Sequence, residues 1–101
     1  MRKMEEKVLA FLKTIPHGKV VTYGQIAAAL GNRKLARAVG NALHRNPDGV
    51  RYPCYKVVSA QGKLSRHYAF GGAAAQCRRL QEEGIEVTGD RVDLSQYQWN
   101  P

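Results

Sequence analysis

The chain has 101 residues, 44% hydrophobic and 24% charged, a balance that excludes a disordered or fibrous protein and fits one core over residues 1–101. Its apolar runs at residues 26–30 and 57–58 fall far short of the ~20 residues of a membrane span, and no apolar leader core follows Met1, so no membrane contact and a cytosolic or nucleoid location are expected. Sixteen Lys and Arg against eight Asp and Glu give a net charge of +8, which excludes an acidic-surface protein and suits a polyanion partner.

The charge is concentrated. Arg33, Lys34, Arg37, Arg45, Arg51, Lys56, Lys63 and Arg66 share residues 33–66 with a single acid, Asp48, so the middle third carries nearly all of the net charge. Composition alone leaves two readings open, a nucleic-acid face or a merely solvated basic surface. The two cysteines, Cys54 and Cys77, lie in no zinc-like spacing and follow no secretion signal, so both read as reduced thiols. No motif implies a metal or an organic cofactor, and no obligate oligomer is expected.

The first predicted element is an amphipathic helix over residues 2–15, with Val8, Phe11, Leu12 and Ile15 at helical spacing and Pro16 and Gly18 as stops. Thr22 and Gln25, three apart before the apolar run at 26–30, form a capping-box pattern, and Gly31 ends a short helix over residues 23–30. Asn32 caps a third helix over residues 34–45. Leu35, Val39, Ala42 and Leu43 share one arc of it, and Lys34, Arg37, Asn41, His44 and Arg45 share another. Two helices joined by a three-residue link, the second one basic, form the pattern of a helix-turn-helix; an ordinary helical hairpin with a solvated face gives the same pattern.

Residues 46–49 read as a turn, 55–59 as a short strand, 60–62 as a turn into Lys63 and Leu64, and 66–72 as an aromatic loop ending in two glycines. A helix over residues 73–83 turns Cys77 and Leu80 inward and is closed by Gly84; residues 85–94 then form a small hairpin through Thr88, Gly89 and Asp90, ahead of Tyr97 and Trp99. The predicted class is α/β, mostly α: a small winged-helix-like domain with a helix-turn-helix, a short strand carrying Cys54, and a C-terminal helix and hairpin.

Cys54 is the candidate nucleophile. It follows Pro53 and lies near Arg51 and Lys56 in the sequence, and neighbouring cations lower a thiol pKa by stabilising the thiolate. The competing reading is a small buried core residue. His17, His44 and His67 fall on a loop, the basic helix and another loop, and form no protease-like Cys-His-Asn arrangement.

The strings Gly18-Lys19-Val20-Val21-Thr22-Tyr23-Gly24-Gln25-Ile26-Ala27, Ala36-Arg37-Ala38-Val39-Gly40, Asn46-Pro47, Pro53-Cys54-Tyr55-Lys56-Val57-Val58 and Glu82-Glu83-Gly84 together resemble the DNA-binding, active-site domain of the 6-O-alkylguanine-DNA alkyltransferases. The order and spacing are compatible with that family over roughly residues 5–87. The given sequence has no counterpart of the family's N-terminal ribonuclease-H-like domain, and in that respect is similar to the compact alkyltransferase-like proteins, which bind alkylated guanine without repairing it.

The resemblance implies duplex DNA containing alkylated guanine as partner and a recognition helix docked in the minor groove. There Ala36, Ala38 and Gly40 allow close approach, Arg37 enters the stack in place of the flipped nucleotide, and Lys34, Asn41 and Arg45 complete the face. It implies that Tyr23 rotates a phosphate and that Asn46 braces the helix against the active-site strand. It implies Cys54 as alkyl acceptor and Glu83 as the distal glutamate of its relay. Tyr23, Val57, Ala69, Phe70 and Gly71 are the expected pocket. Two departures stand out: Tyr55 occupies the position of the family's activating histidine, and Lys56 that of its arginine. A neutral phenol is a poor proton acceptor at pH 7. The implied function is direct reversal of 6-O-alkylguanine by transfer to Cys54, and the alternative is a lesion sensor that recruits another repair pathway.

Overall fold

The computed structural model describes residues 3–66 and 68–101. Arg2, at the start of the predicted first helix, and His67, in the aromatic loop, lie outside the described residues. No helix among the described residues is long and apolar enough to cross a membrane.

Helix α1 (Lys3–Leu12) buries Val8, Leu9 and Leu12. It ends three residues before the predicted stop: the Thr14 hydroxyl donates to the Phe11 carbonyl and the Ile15 amide to that of Leu12, which turns the chain while keeping Ile15 in the core. Strand β1 (Val21–Thr22) runs into α2 (Tyr23–Ala29) through the predicted capping box, in which the Thr22 side chain accepts from the Gln25 amide and the Gln25 side chain accepts from the Thr22 amide.

Asn32 caps as predicted, but it caps a 3₁₀ turn (Arg33–Leu35), and α3 runs from Ala36 to His44, so Lys34 falls outside the α-helix. Val39, Ala42 and Leu43 are the buried face of α3, packed on α1 and α2. The helix-turn-helix is therefore present, with its second helix two residues shorter at the front than the periodicity indicated.

The predicted strand at 55–59 contracts. Cys54–Lys56 is a 3₁₀ turn and only Val57–Val58 forms β2, so Cys54 stands on a turn leading into the strand and not on the strand itself. Strand β2 pairs in parallel with β1, Val21 opposite Val57 and Thr22 opposite Val58, while Val20 bridges Gln98. All four valines are buried. Lys63 makes an isolated bridge to Arg91, and Gly62, at a φ of +81°, carries the turn; a Cβ there would stand 2.2 Å from the Val92 carbonyl oxygen.

Helix α4 (Gly72–Glu82) is followed by Gly84 in the left-handed region, as its predicted C-terminal role requires. Its inward residues are Gln76 and Leu80, whereas Cys77 is only half-buried. The hairpin β3 (Val87–Thr88) and β4 (Arg91–Val92) pairs Val87 with Val92. A short α5 (Leu94–Tyr97), capped by Asp93, was not anticipated. The class is the expected one, mostly helical with two small sheets.

Gln76 explains why a polar residue faces the core. At 1% exposure its amide donates to the Tyr55 carbonyl (2.9 Å) and the Val57 carbonyl (3.0 Å), and its oxygen accepts from the Ser65 amide (2.7 Å), so one side chain satisfies three backbone groups around the turn that carries Cys54. Gln76→Leu preserves volume and strands all three groups; it should cost about 2–4 kcal/mol, read from urea denaturation, and a loss under about 0.5 kcal/mol would refute this role.

Candidate functional site

A cavity of about 580 Å³ is lined by α3 and by the segment from the Cys54 turn to α4. Ala36, Arg37, Gly40 and Asn41 line it from α3, Tyr23 from the start of α2, Cys54 from the 3₁₀ turn and Val57 from β2. Ser65, Tyr68 and Ala69 close it from the loop before α4. The lining therefore joins residues expected on the DNA face with the candidate nucleophile.

Three of the five expected pocket residues, Tyr23, Val57 and Ala69, line this cavity. Phe70 and Gly71 do not: the Phe70 ring tilts against Tyr68 at 5.7 Å and lies directly over Gly49, where an added Cβ would sit 2.9 Å from it. Among the expected DNA-face residues, Lys34 and Ala38 stand outside the lining, and Arg45 is held by an ion pair to Glu5 at 2.8 Å. Ser65, Tyr68 and Gln76 were not anticipated. Gln76 could have been found from its i, i+4 spacing with Leu80; its polarity hid it.

Asn46 is buried in its turn, donating to the Tyr52 carbonyl at 2.7 Å and accepting from the Asp48 amide at 3.0 Å. It thus fixes the path from the end of α3 to the turn that carries Cys54. Ser65 is in hydrogen-bond contact with the Tyr23 hydroxyl, and burial holds that phenol above its ordinary pKa.

The expected activation of Cys54 by Arg51 and Lys56 is not what the structure contains. Arg51 lies over the Tyr52 ring at 5.5 Å, and Lys56 is buried with its ammonium 3.0 Å from Glu83 and within reach of the Ile15 and Pro16 carbonyls. Adjacency in sequence did not become adjacency in space. Burial pushes the Cys54 thiol above its ordinary value, and neither the Asn46 side chain nor the charge of Arg79 offsets it.

Tyr55 and Glu83 are brought together, and their hydrogen bond has a definite sense: the Tyr55 hydroxyl donates to Glu83 Oε2. Burial first, then the bond to Glu83 and its charge, push Tyr55 up to about 12. Arg79 covers the Tyr55 ring at 4.6 Å. Burial also works against the charge of Glu83, but hydrogen bonds from Tyr55, from the Gly18 amide (3.0 Å) and from Lys56 outweigh it and hold the carboxyl below the usual range. His17 Nδ1 lies 3.7 Å from the same carboxylate on a largely exposed ring. A phenol that keeps its proton and a carboxylate already saturated by donors are both poor bases for a thiol proton at pH 7.

Comparison with known proteins supplies the family. The chain is 44% identical over 91 residues to the bifunctional methyltransferase/endonuclease of Picrophilus torridus, covering 90% of this chain but only 30% of that relative. It is 36% identical over 107 residues to alkyltransferase-like protein 1 of Schizosaccharomyces pombe, covering 100% of this chain and 98% of that one. The crystal structure of S. pombe Atl1 in complex with damaged DNA containing O6-carboxymethylguanine superposes with a TM-score of 0.89 at 33% identity, over all of both chains. Relatives named as methyltransferases and as alkyltransferase-like proteins thus both lie close. Residues 3–85 match the family described as 6-O-methylguanine DNA methyltransferase, DNA binding domain, and the chain belongs to that family.

Proposed function

We propose that this chain, with residues 1–101 acting as one unit, binds duplex DNA through α3, accepts an alkylated guanine flipped out of the stack into the cavity, and transfers the 6-O-alkyl group irreversibly to Cys54. The observation that carries this reading is that Cys54 lines the same cavity as Ala36, Arg37 and Gly40 of α3, so a base delivered past α3 enters the space that holds the thiol. The volume, about 580 Å³, lies within the range of small-molecule sites. Small side chains on α3 let its backbone approach the groove, and Arg37, exposed at the cavity mouth, fills the gap left by the flipped base. A net charge of +8 supports the phosphate contacts such docking needs.

In the transfer, the Cys54 sulfur forms a bond to the alkyl carbon as the carbon–oxygen bond breaks. The electron pair stays on the guanine oxygen, and the thiol proton ends on the guanine. Neither Tyr55 nor Glu83 is poised to take that proton. General-base assistance is worth about 10²–10⁴-fold, so transfer is slow, which one turnover per molecule tolerates. The protein acts as a cytoplasmic, nucleoid-associated monomer without a cofactor.

A second reading, the lesion sensor that recruits another repair pathway, is favoured by two observations: the thiol of Cys54 is held neutral, and the alkyltransferase-like relative matches over its whole length. Intact mass after incubation with excess duplex carrying one 6-O-methylguanine separates the two. A single methyl mapped to Cys54 is expected, and Cys54→Ser should lose it while still binding the lesion; unchanged wild-type mass beside lesion-selective binding would make the protein a sensor.

Arg37→Ala should weaken lesion binding about tenfold or more in equilibrium titrations, since unstacking a base costs a few kcal/mol that the arginine no longer offsets. Because the thiol pKa is raised, the thiolate fraction grows with pH throughout the neutral range. The transfer rate should therefore climb about tenfold per unit between about pH 6 and 8 in single-turnover kinetics, and a flat profile would mean a preformed thiolate.

A further inference from the structure

Residues 97–99 lie beyond the stretch 3–85 that matches the family, yet they return to the start of the helix-turn-helix. The Val20 amide, immediately before β1, donates to the Tyr97 carbonyl at 2.9 Å, and the Trp99 amide donates to the Val20 carbonyl at 2.8 Å, so Val20 and Gln98 pair in parallel. The Trp99 ring meets Phe11 of α1 at 5.9 Å. Two side-chain bonds extend the contact past β1: Gln25 Nε2 donates to the Trp99 carbonyl at 2.6 Å, and Gln98 Nε2 donates to Gln25 Oε1 at 2.9 Å. That same Gln25 oxygen accepts from the Thr22 amide at 2.9 Å to complete the capping box.

Tyr23 stands between the two points so held, Val20 before it and Gln25 after it. It opens α2 and lines the cavity together with Arg37 and Cys54. Its ring edge is 4.0 Å from where a Cβ on Gly40 would stand, so it lies against the small-residue face of α3. A capping box fixes the first turn of a helix but not where that turn sits in the molecule. Placement falls to β1, which pairs with β2 over two residues only, Val21 with Val57 and Thr22 with Val58. Residues 97–99 add a second anchor, made of backbone and side-chain bonds on both sides of Tyr23.

We propose that residues 97–99 are a positioning strap that sets Tyr23 against α3 and so supports the preference for damaged over undamaged duplex; this rests on the alkylguanine reading above. The strap acts through Tyr23 and Gln25 and touches no DNA itself. Binding to undamaged duplex draws on phosphate contacts from the cations, which the strap does not hold in place. A flipped base must enter the cavity whose wall includes Tyr23, and flipping costs a few kcal/mol that only a well-placed wall returns. Loosening the strap therefore removes discrimination before it removes binding.

The test is Trp99→Pro, which removes the amide donor to Val20 and the ring against Phe11, made in the Cys54→Ser background so that transfer does not deplete the complex. Equilibrium titrations at one salt concentration compare a duplex carrying 6-O-methylguanine with the same duplex undamaged. Affinity for the damaged duplex should fall about tenfold while that for the undamaged duplex stays within about twofold. A merely structural role would lower the folded fraction and so weaken both equally; an equal loss, or no loss on either, would overturn the assignment while leaving the function standing. If Trp99→Pro failed to fold, Gln98→Ala decides instead: it cuts only the side-chain bond to Gln25 and keeps the backbone pairing, and an undiminished preference for damage in that variant would overturn the strap. If the Cys54→Ser parent showed no preference for 6-O-methylguanine, the function and this inference would fall together.

Discussion

The Glu83 carboxylate joins three stretches of chain that are far apart in the sequence. It accepts from the Gly18 amide ahead of β1, from Tyr55 and Lys56 in the turn that carries Cys54, and it sits at the end of α4. Lys56, 5% exposed, depends on it: without the carboxylate the ammonium would keep only the Ile15 and Pro16 carbonyls, an ion buried without its counter-charge. The same saturation that makes Glu83 a good anchor makes it a poor base. Structure and chemistry draw on one carboxylate, and here structure holds the larger share.

Around that anchor the cavity is assembled from two independently supported walls. One is α3, short and small-faced, carried by the packing of Val39, Ala42 and Leu43 on α1 and α2. The other is the turn that carries Cys54 with the strand after it, whose carbonyls at Tyr55 and Val57 are fixed by Gln76. Asn46 bridges the two through its bonds to Tyr52 and Asp48. A site built on such fixed backbone holds its thiol in place but neutral, since the burial that fixes Cys54 also disfavours its charge.

Much of this was readable in the sequence because it is local. Capping by Thr22, Gln25 and Asn32, the glycine stop after α4 and the apolar arc of α3 all depend on residues within four positions of one another. Of the residues singled out in the ordered strings, Tyr23, Arg37 and Cys54 line one cavity and Glu83 does not. What failed depends on distant partners. Parallel pairing of two-residue strands leaves no alternation to detect, and the inward Gln76 looks like a surface residue until the carbonyls it serves are known. Arg51 and Lys56 flank Cys54 in the chain yet turn to Tyr52 and Glu83.

The return of residues 97–99 to β1 bears on the order in which the molecule assembles. The Trp99 carbonyl accepts from the Gln25 side chain that caps α2, the Trp99 amide donates to Val20, and the Trp99 ring meets Phe11 at 5.9 Å. The start of the helix-turn-helix is thus completed by contacts spanning more than seventy positions, the kind that close late because the intervening loop entropy must be overcome first. During synthesis α2 and α3 emerge well before residues 97–99, so the helix-turn-helix acquires its full set of contacts only after that segment has followed.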